Sequence, residues 1–320
     1  MKHWVAEKLI CPDCLPAESG LKLNSEIQKS GDIIEGSLYC TQCGAHYPIK
    51  DGIAVVRPGR TAKIKSPNNG YNAPVMLSAY MWSHFADLFA DSRATDAYRK
   101  WSESFKSNAG DALDIGCAVG RLTFELSRTN DRVIGIDTSR AFIAKAREIV
   151  VKKQIDFELV VEGNLTEHRH LGLENGWNLE NVDFLVADAL ALPFPKHDFA
   201  SIAAINVLEK VPDPIGHLTE VNRVLRKQES MFLFSDPFSW DPAFSAPELW
   251  LGGSNNGSSP YSTRGIDTMR RLFAGEFKVF DPPFDIARQG DVSWKIRKTE
   301  NLWEHITSQF LVGHRKALQS

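Results

Sequence analysis

From residue 111 onward the chain alternates short apolar runs with stretches of helical period. Ala112–Ile115, Arg132–Ile136, Asp183–Val186, Ser201–Ile205 and Met231–Phe234 lack polar alternation, which predicts strands covered on both faces. Ala141–Val151 and Ile215–Leu225 carry the spacing of amphipathic helices between them. Such alternation predicts an α/β, Rossmann-like parallel sheet with helices on both faces. Upstream, Met76, Leu77, Tyr80, Met81, Leu88 and Phe89 recur at helical spacing, as do Tyr98, Trp101 and Phe105. This aromatic stripe suits core packing or a lid over a pocket. Before it, Leu21–Leu23 and Ile33–Tyr39 read as short strands, and Asp51–Gly52 marks a turn between the apolar ends of His46–Val56. Arg57–Pro74, rich in Pro, Gly, Asn, Ser and Lys, reads as a linker. The expected organisation is a small β module over 1–57, a linker over 58–75 and one α/β domain over 76–320.

Composition narrows the classes. Apolar residues at 43% and charged residues at 24% exclude disorder and coiled coil. Thirty-seven Lys and Arg against 40 Asp and Glu leave a net charge of -3, so no global attraction to nucleic acid exists, although a local patch could. No apolar run approaches the roughly 18 residues of a membrane span. Residues 1–8 reach the first cysteine before a signal-like apolar core can form, so a cytoplasmic location is expected.

The cysteines change the picture of the first module. Four of the five form two doublets, Cys11-Pro12-Asp13-Cys14 and Cys40-Thr41-Gln42-Cys43. In a reducing compartment such doublets read as a metal site. Each places two thiolates on a tight turn, and two turns complete a closed tetrahedral sulfur cage that suits structural Zn2+. Unrelated thiols, a redox pair or an iron–sulfur cluster are the alternatives, and His46 could substitute as a ligand. A module this small buries too little to stand alone, so the metal acts as its cross-link.

The chemistry centres on Leu113-Asp114-Ile115-Gly116-Cys117-Ala118-Val119-Gly120-Arg121. An apolar strand ends in an acid, and a Gly-rich turn opens a helix. Gly116 and Gly120 permit a tight turn and close approach of a ligand. The next strand ends in Asp137, followed by Thr138, and an acid there accepts hydrogen bonds from a ribose diol. Asp188 and Ala189 follow the third strand, where they can meet an adenine amino group. Three acids at successive strand tips suit an adenosyl ligand with a cationic amino-acid tail. The loop reads G-x-x-x-G and lacks the G-x-G-x-x-G of a dinucleotide site.

LDIGCAVGR, GIDTS, VADA and NVLEKVPDP (Asn206–Pro214) resemble the class I S-adenosylmethionine-dependent methyltransferases over residues 76–315. The resemblance implies that Asp114 and the turn with Gly116, Cys117, Ala118 and Gly120 hold the methionyl end of S-adenosylmethionine. It places Asp137 and Thr138 at the ribose and Asp188 and Ala189 at the adenine. Asn206 would face both sulfonium and substrate. Within that family the chain is similar to the methyltransferase domain of ovothiol-biosynthesis enzymes, which methylates a ring nitrogen of 5-thiohistidine. GCAVGR with Leu122–Leu126, Phe142-Ile143, Val161–Leu165, Asp236–Trp240, Glu248–Gly253 and Ile296-Arg297 carry this similarity. This chain lacks the sulfoxide-synthase region of those enzymes and adds a module of its own. Residues 9–56 resemble the zinc-ribbon activator subunit of some tRNA and protein methyltransferases, through CPxC, CxxCG and YPI-DGI.

Asn206 or Glu209 could select the reactive imidazole tautomer. Arg121 and Arg297 are candidates to clamp a substrate carboxylate. Trp240, Trp250 and Trp294 could line a slot for a ring. Cys117 is expected to pack rather than react. The expected substrate is a small histidine thiol. An RNA methyltransferase holding nucleic acid with the ribbon and Lys63-Ile64-Lys65 is the alternative, and a non-catalytic adenosyl-binding scaffold is a third.

Overall fold

The computed structural model describes residues 1–59, 67–89, 91–105, 110–254 and 260–316; residues 60–66 of the expected linker, with Lys63-Ile64-Lys65, lie outside them. Helix α1 (His3–Lys8) precedes an antiparallel meander of β1 (Leu21–Lys29), β2 (Asp32–Cys40), β3 (His46–Lys50) and β4 (Ile53–Val56). Helices α2 (Pro74–Phe85) and α3 (Ala97–Ser104) follow. Next come β5 (Ala112–Ile115), α4 (Arg121–Leu126), β6 (Val133–Asp137) and α5 (Arg140–Lys152). A hairpin of β7 (Gln154–Glu162) and β8 (Leu165–Gly172) leads to β9 (Val182–Ala187) and β10 (Ser201–Ile205). The chain ends with α6 (Pro214–Val224), β11 (Ser230–Asp236), α7 (Gly265–Phe273), β12 (Asp285–Arg297) and β13 (Trp303–Arg315).

Eleven strands form one sheet in the order β1-β2-β3-β4-β9-β6-β5-β10-β11-β13-β12. The five central strands β9, β6, β5, β10 and β11 are parallel and buried nearly throughout, which is why their sequences show no polar alternation. Their helices start at local caps. The Ser139 hydroxyl accepts the Phe142 amide at the start of α5, and Asp213 accepts the Gly216 amide where Pro214 opens α6.

The first module joins this sheet. β4 pairs parallel with β9, Val55 opposite Val186 and Val56 opposite Ala187. Leu9, Tyr47 and Val56 pack in one core with Ile115, Leu185 and Phe194. Buried Arg147 on α5 reinforces the junction by pairing with Asp183 of β9 and, at 2.7 Å, with Asp32 of β2.

The sheet is mixed. β13 runs antiparallel to β11, and β12 antiparallel to β13, an edge hairpin that the apolar runs did not announce. Only Val292, Trp294 and Ile296 of β12 alternate inward, while its first seven residues are exposed. The stretch Val161–Leu165 forms the tip of the β7–β8 hairpin. Among the described residues no helix is long and apolar enough to cross a membrane.

Candidate active site and cysteine centre

The strand tips open into a cavity of about 490 Å³. Gly116, with φ 72°, forms its floor, and a Cβ there would stand 2.4 Å from the Val207 side chain, so the position admits only glycine. Gly120 serves packing instead: its Cβ would meet the Phe184 ring at 2.6 Å, and its absence seats α4 on the sheet. Ala118, Asp137, Thr138, Asp188, Ala189 and Asn206 line the cavity with Gly116, as the sequence reading grouped them.

Asp137 accepts the Ala118 amide at 3.1 Å and the Ser139 amide at 2.8 Å, which fixes its carboxylate at the β6 tip. Burial nevertheless pushes it up to about 6. A ligand hydroxyl pair would add the donors that this anion lacks. Asp188 accepts the Leu190 amide at 3.0 Å, and the Ala189 carbonyl above it lies 3.4 Å from His217 Nδ1. Burial lowers His217 to about 4, so a neutral ring stands beneath the Ala189 carbonyl.

Asp114 and Cys117 do not line the cavity. Asp114 sits one layer behind, accepting the Thr123 hydroxyl at 2.6 Å, with burial pushing it up to about 7. From there it braces the loop through Thr123. The buried Cys117 thiol is pushed up by desolvation and by the Asp114 charge, which keeps it protonated and unreactive.

The expected substrate clamps are elsewhere. Arg121 is fully buried and forks onto Asp87 at 2.7 and 3.1 Å, with Glu125 and the His84 carbonyl taking its remaining donors. It ties α2 to α4, because a buried guanidinium must spend its donors on nearby acceptors. Arg297 donates to the Thr299 carbonyl and lies over the Trp303 ring. Trp240 and Trp250 stack on each other, 6.1 Å between centroids, beside the wall segment carrying Ala243 and Phe244. Glu209 is buried behind the wall, accepting the Ser239 hydroxyl at 2.7 Å and pairing with Lys210 at 3.0 Å. Lys210 is the member of that pair that reaches the cavity.

Of the remaining wall, Tyr80, Tyr98 and Trp294 were candidates from the sequence, whereas His84 and Arg57 were not. Tyr80 and His84 of α2 and Tyr98 of α3 line it, so the aromatic stripe both packs and covers the cavity. The Tyr98 hydroxyl lies 2.6 Å from His84 Nε2, and burial with the Arg121 charge keeps His84 neutral. Trp294 arrives from β12 and Arg57 from the end of β4. No local motif marks Arg57.

At the other end of β4's meander, the Sγ atoms of Cys11, Cys14, Cys40 and Cys43 all lie within 4.8 Å of one another. Cys11–Cys43 is 3.6 Å and Cys14–Cys40 3.7 Å. Four thiolates about 2.3 Å from one tetrahedral ion stand about 3.8 Å apart, so the cage fits such an ion. The Tyr47 hydroxyl lies 3.1 Å from Cys11 Sγ and donates to Asp13. His46 is exposed, stacked on Tyr39, and takes no part.

Comparison with known proteins agrees with both parts. Residues 113–233 match the methyltransferase domain family, and residues 5–52 match the Trm112p-like protein family. Cycloartenol-C-24-methyltransferase of Arabidopsis thaliana is 23% identical over 168 residues, 50% of this chain and 43% of that protein. The 27-O-demethylrifamycin SV methyltransferase of Amycolatopsis mediterranei (strain S699) is 29% identical over 120 residues, 37% of this chain and 36% of that protein. The match thus spans less than half the length of these curated relatives. Among solved structures, the complex between the Haloferax volcanii Trm112 methyltransferase activator and the putative methyltransferase superposes with a TM-score of 0.44 at 14% identity, covering 75% of this chain and 98% of that chain.

Proposed function

We propose that this S-adenosylmethionine-dependent methyltransferase, with its built-in Trm112-like ribbon, methylates a ring nitrogen of a small histidine thiol, 5-thiohistidine in the first place. The observation that carries this reading is the far wall of the cavity. Tyr98, Trp294 and Phe244 line it as aromatic residues, with Asn206 and Lys210 among its polar ones. A volume of about 490 Å³ shared with an adenosyl ligand leaves room for one ring and a short tail. Two of the curated relatives are named for small-molecule acceptors, cycloartenol and 27-O-demethylrifamycin SV.

S-adenosylmethionine, when bound, supplies a methyl group already activated on a sulfonium. What the chain must do is align the acceptor and exclude water. Asp137 and Thr138 would hold the ribose, Asp188 and Ala189 the adenine, and the turn at Gly116 and Ala118 the methionyl end. Lys210 would take the substrate carboxylate, the role expected of Arg121 and Arg297. A thiolate-imidazole has a ring nitrogen with a free lone pair, so its methylation needs no base, in keeping with Glu209 lying behind the wall. We assign Zn2+ to the four cysteines and a reducing, cytoplasmic setting to the enzyme.

A second reading is methylation of an RNA base, which the Trm112-like match of residues 5–52 favours. The outer strand β1 offers Lys22 and Lys29 but also Glu26 on its exposed positions, a mixed face for a phosphate backbone. Incubation with labelled S-adenosylmethionine and 5-thiohistidine, histidine or RNA separates the readings. One methyl gained by the thiohistidine, and far less by histidine, is expected. RNA methylation with every histidine thiol inert would replace the first reading with the second. Binding of S-adenosylmethionine without transfer to any of them would leave a scaffold.

A further inference from the structure

Asn206 stands at the tip of β10 with φ 58°, a left-handed conformation that asparagine tolerates better than most residues. Its amide N–H donates to the Ser235 carbonyl at 2.7 Å, which fixes the backbone and aims the side chain across the sheet toward β13. There the Asn206 side-chain oxygen accepts the Ser308 hydroxyl at 2.7 Å, and Ser308 Oγ in turn accepts the Trp294 indole N–H at 2.9 Å. Ser308 is fully buried, and Trp294 is 5% exposed.

The polarity of this chain of hydrogen bonds has only one satisfied solution. Indole nitrogen is a donor and never an acceptor. The Ser308 oxygen must therefore receive from Trp294, and its single proton must go elsewhere. Among the described residues the acceptor it meets is Asn206 Oδ1. Reversing the Asn206 amide would leave a fully buried hydroxyl proton without an acceptor, which costs more than the hydrogen bond it would replace. The oxygen of Asn206 is thus turned toward Ser308 inside the protein, and its NH2 group is the end left for the cavity.

We infer that the methyl acceptor offers Asn206 a hydrogen-bond-accepting atom, a thiolate or carbonyl-type group next to the reacting nitrogen, and not an N–H or O–H. This rests on reading the cavity as the methyl-acceptor site. Ser308 and Trp294 are positioning residues that hold this polarity. Asn206 neither accepts nor releases a proton in the reaction. An acceptor whose reacting nitrogen carries a proton is rejected here, because that N–H would face two N–H donors. A thiolate adjacent to an unprotonated ring nitrogen is selected.

The test uses the full chain saturated with S-adenosylhomocysteine and 4-mercaptoimidazole thiolate as probe. In 1H–15N spectra, Ser308→Ala should move both the Trp294 indole signal and the Asn206 side-chain amide pair, assigned with Trp294→Phe and Asn206→Ala. Probe addition should shift the Asn206 pair downfield. Asn206→Asp, which replaces donors with an anion, should weaken the probe at least ten-fold while S-adenosylhomocysteine changes far less. An Asn206 pair indifferent to Ser308→Ala, or an Asn206→Asp protein binding thiolate as well as the unaltered chain, overturns the inference. Absence of probe binding to the unaltered chain overturns it too. Tight, Asn206-dependent probe binding with no methyl transferred to any histidine thiol would uphold it and discard 5-thiohistidine as substrate.

Discussion

The two ends of the eleven-stranded sheet close it in different ways. At one end the β1–β4 meander carries four cysteines within 4.8 Å, each three residues from its doublet partner in sequence. At the other end β12 and β13, 13 residues each, form a hairpin held by backbone pairing and inward side chains such as Val292 and Trp294. The ribbon end abuts β9, and β6 lies beyond it; their tips carry Asp188 and Asp137. The hairpin end abuts β11 and reaches Asn206 through Ser308. The cavity residues Asp137 and Asp188 thus lie on the ribbon side of the sheet and Asn206 on the hairpin side. The lesson is that an edge of a sheet can serve a site several strands away, because each strand sets the register and height of the next.

The largest effect should come from breaking the ribbon end. Cys40→Ser should remove the zinc, about one per chain, because structural sites of this kind contribute folding free energy on the order of 10 kcal/mol. Metal analysis, thermal melting and calorimetry with S-adenosylhomocysteine would show lost zinc, a lowered midpoint and weakened cofactor binding. Full zinc retention would remove the metal assignment, and unchanged cofactor affinity would separate the ribbon from the cofactor half.

Arg147→Ala attacks the same junction without touching the cysteines. It leaves buried Asp183 without its partner, and urea unfolding should show a loss of about 3–5 kcal/mol. Adding Asp183→Asn should recover much of it. A loss below about 1 kcal/mol would mean that the β4–β9 seam holds by apolar packing alone.

Within the cofactor half, Asp137→Ala should weaken S-adenosylmethionine binding by about 1–3 kcal/mol, the scale of charged hydrogen bonds. Since Asp137 titrates at about 6 in the free protein, affinity should fall as pH drops below 6 and its carboxylate, the better acceptor for ribose hydroxyls, is lost. The variant should lack this pH dependence. A parallel decline in both proteins would place the titrating group elsewhere.

The smallest effect concerns Asp114, midway between the two ends. Its folded value of about 7 lies above the ordinary carboxylate value of 3.8, so the folded protein holds this proton to higher pH than the unfolded chain. The stability this contributes is complete below about 4 and is lost as pH rises through 7. Asp114→Asn stays neutral, so its midpoint should move upward relative to the unaltered protein between pH 5 and pH 8. A constant difference across that range would mean that Asp114 is ionised throughout.

The sequence by itself determined the elements whose information is local. The apolar runs at Ala112–Ile115 and Ser201–Ile205 are strands because burial on both faces tolerates no polar alternation. The glycines at 116 and 120 and the acids at 137 and 188 follow from short motifs at strand tips, and the two CxxC doublets each fold on one turn. Only the tertiary structure decided the rest. Arg121 and Arg297 looked like free cations, yet which acceptors lie near a guanidinium depends on Asp87, 34 residues away, and on the turn at Thr299. Ser308 carries no motif, and the relay from the Trp294 indole through Ser308 to the Asn206 tip exists because β13 lies antiparallel to β11, a pairing set by residues about 80 positions apart. Local sequence specifies turns and burial periods, whereas side-chain partners are chosen by whichever elements the packed core brings together.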